Sequence, residues 1–391
     1  MKSAVLKRIF TLHSWLGLIN GLWLGMLGLS GSLLVYYQEL DRWLNRETLT
    51  VAPQAERLPV DSLFHLVRAR YPAASGTAIM WFPQHPEDCY SFRLYGMAEE
   101  QSIYFSWDLY QTDVDPYSGK EVRAGYYRDF HSFLHWTLTF HYCLHLGTPG
   151  MLAVTLAGIL LFLNSLTGLI LYRRYLWKAL IFRAPVVWRN WRTISSGLHR
   201  YVGVWSLALN LLIFYSGLQM NWTVFDRETW AAPQPQPPIT QPYTSIDRLM
   251  GQVDEIFPGF RIEHVYIPFT ARSGGQAGTR NIRISGHIPG TPSIVPHGSS
   301  SVHFLPHTGE VAETHDINQE LRGMNLWEQF NAVAYSFHAG TFAGEYSRVL
   351  YVLLGLTPAL LSFTGFLMWW RRWRHTRRGG ASRRARRRAR A

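Results

Sequence analysis

Four stretches of the chain carry no Asp, Glu, Lys or Arg: Ile9–Gln38, Phe130–Tyr172, Tyr201–Phe225 and Val349–Trp370. Each is dominated by Leu, Ile, Val, Phe and Trp and reaches the roughly 20 residues a helix needs to cross a bilayer. The pattern predicts four transmembrane helices. The first is expected to stay as an anchor. Its uncharged run is about twice the apolar region of a cleavable signal, and no small-residue cleavage site follows it.

Between the first and second runs, and again between the third and fourth, the period changes. VDSLFHLVRARYP (60–72) and SIDRLMGQVDEIFP (245–258) read as short amphipathic helices ended by proline. AIMWF, YSFRLY, RIEHVYI and TRNIRISG alternate apolar and polar positions and predict strands. DPYSGKEV (115–122) and LPHTGEV (305–311) predict tight turns in which glycine supplies a positive φ.

These elements recur at one offset. TLHSWLG (11–17) and GLHRYVG (197–203) align His13 with His199 and Gly17 with Gly203, 186 residues apart. The same shift takes Ser30–Gly31 to Ser216–Gly217, and Asp61 and Tyr71–Pro72 to Asp247 and Phe257–Pro258. The later helices repeat more loosely: HLGT (145–148) matches HAGT (338–341), and LTGLILYRR (166–174) matches FTGFLMWWRR (363–372), allowing a short insertion near Gly344–Ser347. The expected fold class is therefore a membrane protein of four transmembrane α-helices arranged as an internal duplication. Two exported α+β modules complete it. The boundaries expected are helices at 9–38, 129–172 (with a preceding surface helix), 197–225 and 346–371. Modules occupy 39–128 and 226–345, with basic segments at 173–196 and 372–391. The Pro-rich stretch 231–242 reads as a linker into the second module.

Charge sets the orientation. The 391-residue chain carries a formal +12, but residues 1–8, 173–200 and 371–391 hold three, seven and eleven Lys or Arg and no carboxylate. These 21 positive charges leave the remainder at −9, the positive-inside pattern with both termini in the cytoplasm. The basic tail is expected to touch anionic membrane lipid rather than nucleic acid. The two cysteines, Cys89 and Cys143, form no C-x-x-C-H, which excludes covalent c-type haem attachment and a thiolate metal site.

The histidines sort by depth. His13 and His199 begin the first and third helices at the cytoplasmic face, while His145 and His338 precede the second and fourth at the outer face. His141, four residues before His145, is expected on the same helical side; His131 and His135 form a further pair. A lone membrane histidine is commonly an interface residue, yet two helices that each deliver an imidazole at one depth suit a ligand bound from two sides. Zinc or copper, and a proton relay, are rivals, but both usually recruit carboxylates, which the apolar runs lack. Haem fits better: opposing imidazoles cap one iron axially, and Gly17 and Gly203 clear room for a flat macrocycle. A haem at each face would make an electron path across the bilayer.

Taken in order, LHSWLG, GLHRYVG, HYCLHLGTPG, FHAGTFAG and the two turns resemble the PepSY-associated transmembrane family, and within it the haem-containing inner-membrane ferric-siderophore reductases of the ferrioxamine-uptake type. The resemblance implies two PepSY-like periplasmic modules and two b-type haems, with electrons passed outward to a ferric siderophore. It implies His13 and His199 at the inner haem, and His338 with His145 or His141 at the outer one. Arg200, Arg8 and Arg348 are candidates to neutralise haem propionates, and Trp136, Tyr142 and Trp327 to line a docking surface. Leu305 stands where the first turn has Asp115. With no G-x-G-x-x-G after a strand, the donor is expected to be a quinol or a separate reductase. A siderophore permease, and a membrane-anchored PepSY regulator of a peptidase, are the competing functions.

Overall fold

The computed structural model describes residues 3–97, 102–104, 108–184, 186–231, 239, 242–269 and 281–388, with side chains as far as His375. The expected linker at 231–242 lies almost wholly outside the described residues. In chain order the elements begin with helix α1 (Ser3–Leu34), two short helices α2 (Tyr37–Leu44) and α3 (Arg46–Leu49), and α4 (Val60–Arg70). Strands β1 (Gly76–Trp81), β2 (Tyr90–Tyr95), β3 (Tyr110–Val114) and β4 (Glu121–Tyr126) follow. Next come α5 (Phe133–Cys143), α6 (Gly147–Tyr172), α7 (Leu176–Leu180), α8 (Trp191–Trp205) and α9 (Leu207–Met220). The pattern then repeats with α10 (Ile246–Ile256) and β5 (Arg261–Pro268), β6 (Ile282–His287), β7 (Ser300–Phe304) and β8 (Val311–His315). The chain ends with α11 (Ile317–Gly323), α12 (Leu326–Ala332), α13 (Ala334–Ala339), α14 (Gly344–Gly355) and α15 (Thr357–Arg388).

Two compact units result, one of residues 1–35, 155–219 and 349–391, the other of 36–154 and 220–348. The first is helical. Among the described residues three helices are long and apolar enough to cross a membrane: Ser3–Leu34, Gly147–Tyr172 and Gly344–His375. A fourth span exists if α8 and α9 are taken together across a 57° bend. This pair occupies the place of the helix expected at 197–225; helix begins at Trp191 and breaks at Ser206. The Ser206 hydroxyl donates to the Val202 carbonyl at 2.7 Å and accepts from Asn210 Nδ2 at 3.0 Å. Such back-bonding to the preceding turn bends helices. α1 packs on α15 through small residues; a Cβ on Gly21 or Gly25 would contact Ser362 or Ala359, and one on Gly28 would sit 2.6 Å from the Gly355 carbonyl. Close backbone approach is how helices pack in lipid, where apolar side chains gain little by leaving the tails.

The second unit is built on one antiparallel sheet of order β4-β3-β2-β1-β5-β6-β7-β8. Two modules were expected; the strands of the two halves join in one continuous sheet through β1 and β5, paired from Gly76↔Pro268 to Ile79↔Val265. Each half has the order helix then four strands. α4 and α10 cover the core formed by Leu63, Phe64, Phe92, Leu249, Ile284 and Phe304, all fully buried. The helices also cap one another. Asp247 accepts from the Val60 and Asp61 backbone N–H groups at 3.1 and 3.0 Å, and Asp61 accepts from Ile246 N at 2.6 Å and from the Ser245 hydroxyl. The orphan donors at each helix start are thus satisfied from the other half. The two turns share a backbone: Asp115 N to Lys120 O and Gly119 N to Asp115 O correspond to Leu305 N to Glu310 O and Gly309 N to Leu305 O, all at 2.9–3.0 Å. Gly119 and Gly309 have φ of 67° and 74°, which explains the glycine at that place. Asp115 adds a side-chain bond to Tyr117 N at 2.8 Å that Leu305 cannot make. Cys89 and Cys143 are both free and buried.

α5 and α6 are separate helices. Leu144 and His145 between them have φ of 52° and 57°, a left-handed conformation costly for residues with a Cβ. Gly147 follows because a Cβ there would lie 2.2 Å from the Ile103 carbonyl. His145 therefore stands in a turn, and the expectation that it shares a helical face with His141 is corrected.

Candidate cofactor site

In the helical unit α1, α6, α8 and α15 enclose a cavity of about 1060 Å³. His13 comes from α1 and His199 from α8, and their ring centroids are 6.2 Å apart at an interplanar angle of 84°. Each ring is held from the next helix. His13 Nδ1 is 3.1 Å from the Asn164 carbonyl and 3.0 Å from Thr167 Oγ1. His199 Nδ1 is 2.9 Å from Thr364 Oγ1. The Thr167 hydroxyl donates to Asn164 O at 2.8 Å, and the Thr364 hydroxyl to Leu360 O at 2.7 Å. Each threonine proton is thereby committed, so its oxygen accepts from Nδ1–H of the histidine. The tautomer follows: Nε2 of both imidazoles carries the lone pair. Fixing one ring nitrogen so that the other is free is how proteins prepare a histidine to bind a metal.

Space around the rings is kept by glycine. A Cβ on Gly168 would lie 3.2 Å from His13 Cε1, and one on Gly365 3.5 Å from His199 Cε1. Gly17 and Gly203 also line the cavity; a Cβ on Gly17 would meet Asn164 Nδ2 at 3.3 Å. Among the described residues no carboxylate lines the wall, whereas Arg192, Arg200, Arg371, Arg372 and Arg374 do. A hard cation or a third acidic ligand is therefore unsupported here, while an acidic, largely apolar group is matched. An imidazole bonded through a metal–nitrogen bond of ~2 Å has its centroid about 3 Å from the ion, so two opposed imidazoles stand about 6 Å apart. The observed separation of 6.2 Å is close to that figure. Thr167 and Thr364 were missed from sequence, although both lie in the repeated L/F-T-G motif. Of the expected arginines, Arg200 lines the cavity and donates to Ser196 Oγ at 2.8 Å, but Arg8 does not line it.

The sheet-containing unit brings His141, on α5, and His338, on α13, to a centroid separation of 6.2 Å. His145 packs against Trp136 and Phe140, at 4.7 and 6.2 Å, and both its ring nitrogens are buried without a hydrogen-bond partner. Burial lowers its pKa. Arg348 is engaged by Glu345 at 2.7 Å and Glu39 at 2.5 Å and so is committed to carboxylates. Trp136 stacks on Phe140, Tyr142 packs beside Cys143, and Trp327 is exposed.

His131 and His135 belong to a different arrangement. His131 Nδ1 donates to the Tyr126 carbonyl at 2.8 Å and its Nε2 accepts from His135 Nδ1 at 2.9 Å. His135 stacks on Tyr127 at 4.0 Å. Beside them Arg123 bridges Asp41 at 3.0 Å and Asp113 at 2.6 Å, all buried. Burial, and then the Arg123 charge, lower the pKa of both histidines, that of His135 well below its ordinary value. Asp41 lies 3.7 Å from His135 Nε2, but Arg123 already compensates its charge. This is a satisfied polar core rather than a ligand site.

A search of curated proteins finds no match. The family model described as PepSY-associated TM region matches residues 10–372. With nearly the whole chain covered, the protein belongs to the PepSY-associated transmembrane region family.

Proposed function

We propose that this protein is a transmembrane oxidoreductase that holds two b-type haems and reduces a ferric siderophore to its Fe(II) form on the outer side of the bacterial cytoplasmic membrane. The observation that carries the reading is the His13–His199 pair: two rings 6.2 Å apart, each fixed through Nδ1 by a threonine of another helix, both lining a cavity with no carboxylate among its described lining residues. His141 and His338, at the same separation, are the second pair. Haem, when bound, supplies a one-electron carrier whose potential its axial ligands and surroundings tune.

The remaining work is done by the chain. His13 and His199 would hold the group; Thr167 and Thr364 hold their rings and tautomers; Gly168 and Gly365 leave the ring edges uncovered. The arginines at the cavity wall offset acidic substituents of the group, and apolar helix faces exclude water. The positive-inside charge pattern supports a cytoplasmic location for both termini and exported modules between the spans. One electron converts Fe(III) to Fe(II), for which hard oxygen chelators have far less affinity; a quinol or a separate reductase supplies it. The two alike halves of the sheet, with their reciprocal caps, support two PepSY-like modules and a four-helix core that arose by duplication.

The test is an optical spectrum of the detergent-purified protein, oxidised and dithionite-reduced, with haem counted per chain. Two b-type haems per chain, one lost in His13→Ala or His199→Ala, are expected. A colourless protein from haem-replete cells would overturn the reading. It would favour the permease, for which the observation is the α8–α9 bend beside the cavity, since broken helices line transporter sites.

A further inference from the structure

At the edge of the sheet, apart from the histidine pairs above, strands β7 and β8 bring His303, Glu313 and His315 together. The register makes the cluster: His303 stands opposite Glu313 and Ser301 opposite His315. One ligand atom from each of the three residues lies within 4.8 Å of the others. The His303 and His315 rings are 5.2 Å apart. We propose that these three side chains form a binding site for a divalent first-row transition metal ion of the zinc or ferrous class.

Three observations support it independently of the haem reading. His303 is only 6% exposed, yet its Nδ1 has no hydrogen-bond partner and points at Glu313, 3.9 Å from Oε2. Leaving a buried polar nitrogen unpaired costs free energy that a metal bond would recover. Secondly, the other nitrogen of each histidine is already held. His303 Nε2 lies 3.2 Å from Ser301 Oγ, and His315 Nδ1 lies 3.1 Å from Glu320 Oε1. That leaves His303 Nδ1 and His315 Nε2 for the ion, and His315 Nε2 is 3.2 Å from Glu313 Oε1. A carboxylate behind a ligating imidazole orients it and raises its basicity. Glu320 is presented by α11, whose N-terminus is capped by Asp316 directly after β8.

The third observation is the donor set. Two imidazoles and one carboxylate select zinc or iron(II) over magnesium or calcium, which prefer oxygen alone. Three protein ligands leave coordination positions open, and Glu313 is exposed, so the ion would exchange with solvent. Arg283 faces His303 from β6; the Glu313 and Glu320 carboxylates offset its repulsion of a cation.

The experiment titrates the full detergent-solubilised chain with zinc chloride by calorimetry, and with cobalt(II) chloride as a spectroscopic probe. Glu313→Gln and His315→Gln are compared with the parent, both being accessible positions that the core does not depend on. One zinc ion per chain is expected to bind with at least tenfold lower affinity in each variant, while magnesium does not compete. Metal-free melting temperatures should be equal, and zinc should raise only the parent's. Visible cobalt d–d bands should appear in the parent and fade in the variants. Unchanged zinc affinity in both variants, or no zinc binding by the parent, would overturn the proposal. His13→Ala leaves this readout untouched, so its failure and that of the haem reading are separable.

Discussion

His199 Nδ1 lies 2.9 Å from the hydroxyl of Thr364, whose own proton is spent on the Leu360 carbonyl. One threonine thus sets both the rotamer and the tautomer of a histidine on another helix. Thr364→Val keeps the shape and removes the acceptor. The expected result is a haem retained at least tenfold less tightly at the His13–His199 position, with Thr364→Ser restoring it. Haem per chain after dialysis against apomyoglobin measures this; full retention in the valine variant would show that the ring is fixed by packing alone.

The two glycines beside the rings make a graded comparison. At Gly168 a methyl group would approach His13 Cε1 to 3.2 Å, closer than the ring tolerates while Asn164 and Thr167 hold its other side. At Gly365 the corresponding distance to His199 is 3.5 Å, ordinary contact. Gly168→Ala should therefore reduce haem at this position, and Gly365→Ala should leave it near the parental level. Equal occupancy in both variants would mean the helices adjust freely.

At the second pair the geometry separates two neighbouring histidines. His141 faces His338, whereas His145 sits in a left-handed turn against Trp136 and Phe140. His141→Ala and His338→Ala should each cost one haem. His145→Asn, which keeps a residue tolerant of positive φ, should cost none. The reverse result would assign the ligand to His145 and give the strained turn its purpose.

How far the sequence carried this picture depends on the kind of interaction. The uncharged runs announced the spanning helices because lipid imposes length and apolarity directly. The offset of 186 residues picked out Asp61 and Asp247 as equivalents, but not that each caps the other's helix, a contact across the two halves. The break at Ser206 was hidden because a serine hydroxyl bending a helix leaves no mark on hydropathy. The threonines sat inside quoted repeats, yet their role exists only once α6 and α15 lie beside the histidines. His303, Glu313 and His315 escaped notice because register, not spacing, assembles them.

Those reciprocal caps are separable in the test tube. Asp61→Ala frees the start of α10 and Asp247→Ala that of α4, each at about 0.5–2 kcal/mol. Because Ser245 also caps α10, through Arg248 N at 3.2 Å, the Asp61 change should be the milder. Thermal melts of the two variants decide the order.

The His131–His135 pair predicts how the sheet-containing unit responds to acid. Both rings are held neutral by burial and by Arg123, so their folded pKa values lie below the ordinary 6.5. Unfolded, they take up protons as pH falls through that value; folded, they do not. The unfolded state then binds more protons, and stability must drop as pH falls below about 6.5, with a limiting slope of about 1.4 kcal/mol per pH unit for each histidine. Above that pH neither state binds the proton and no dependence arises from this pair. His135→Phe keeps the stack on Tyr127 but has nothing to protonate, so its stability should fall less steeply between pH 6.5 and 5, even if it starts lower. Denaturant unfolding across that range checks the slope, and parallel curves for parent and variant would remove His135 from the account. Arg123→Met tests the other half of the argument. It leaves Asp41 and Asp113 buried without their cation, for which a loss of about 3–5 kcal/mol is expected. With the guanidinium gone, the His135 pKa should rise and the acid sensitivity of the unit should weaken.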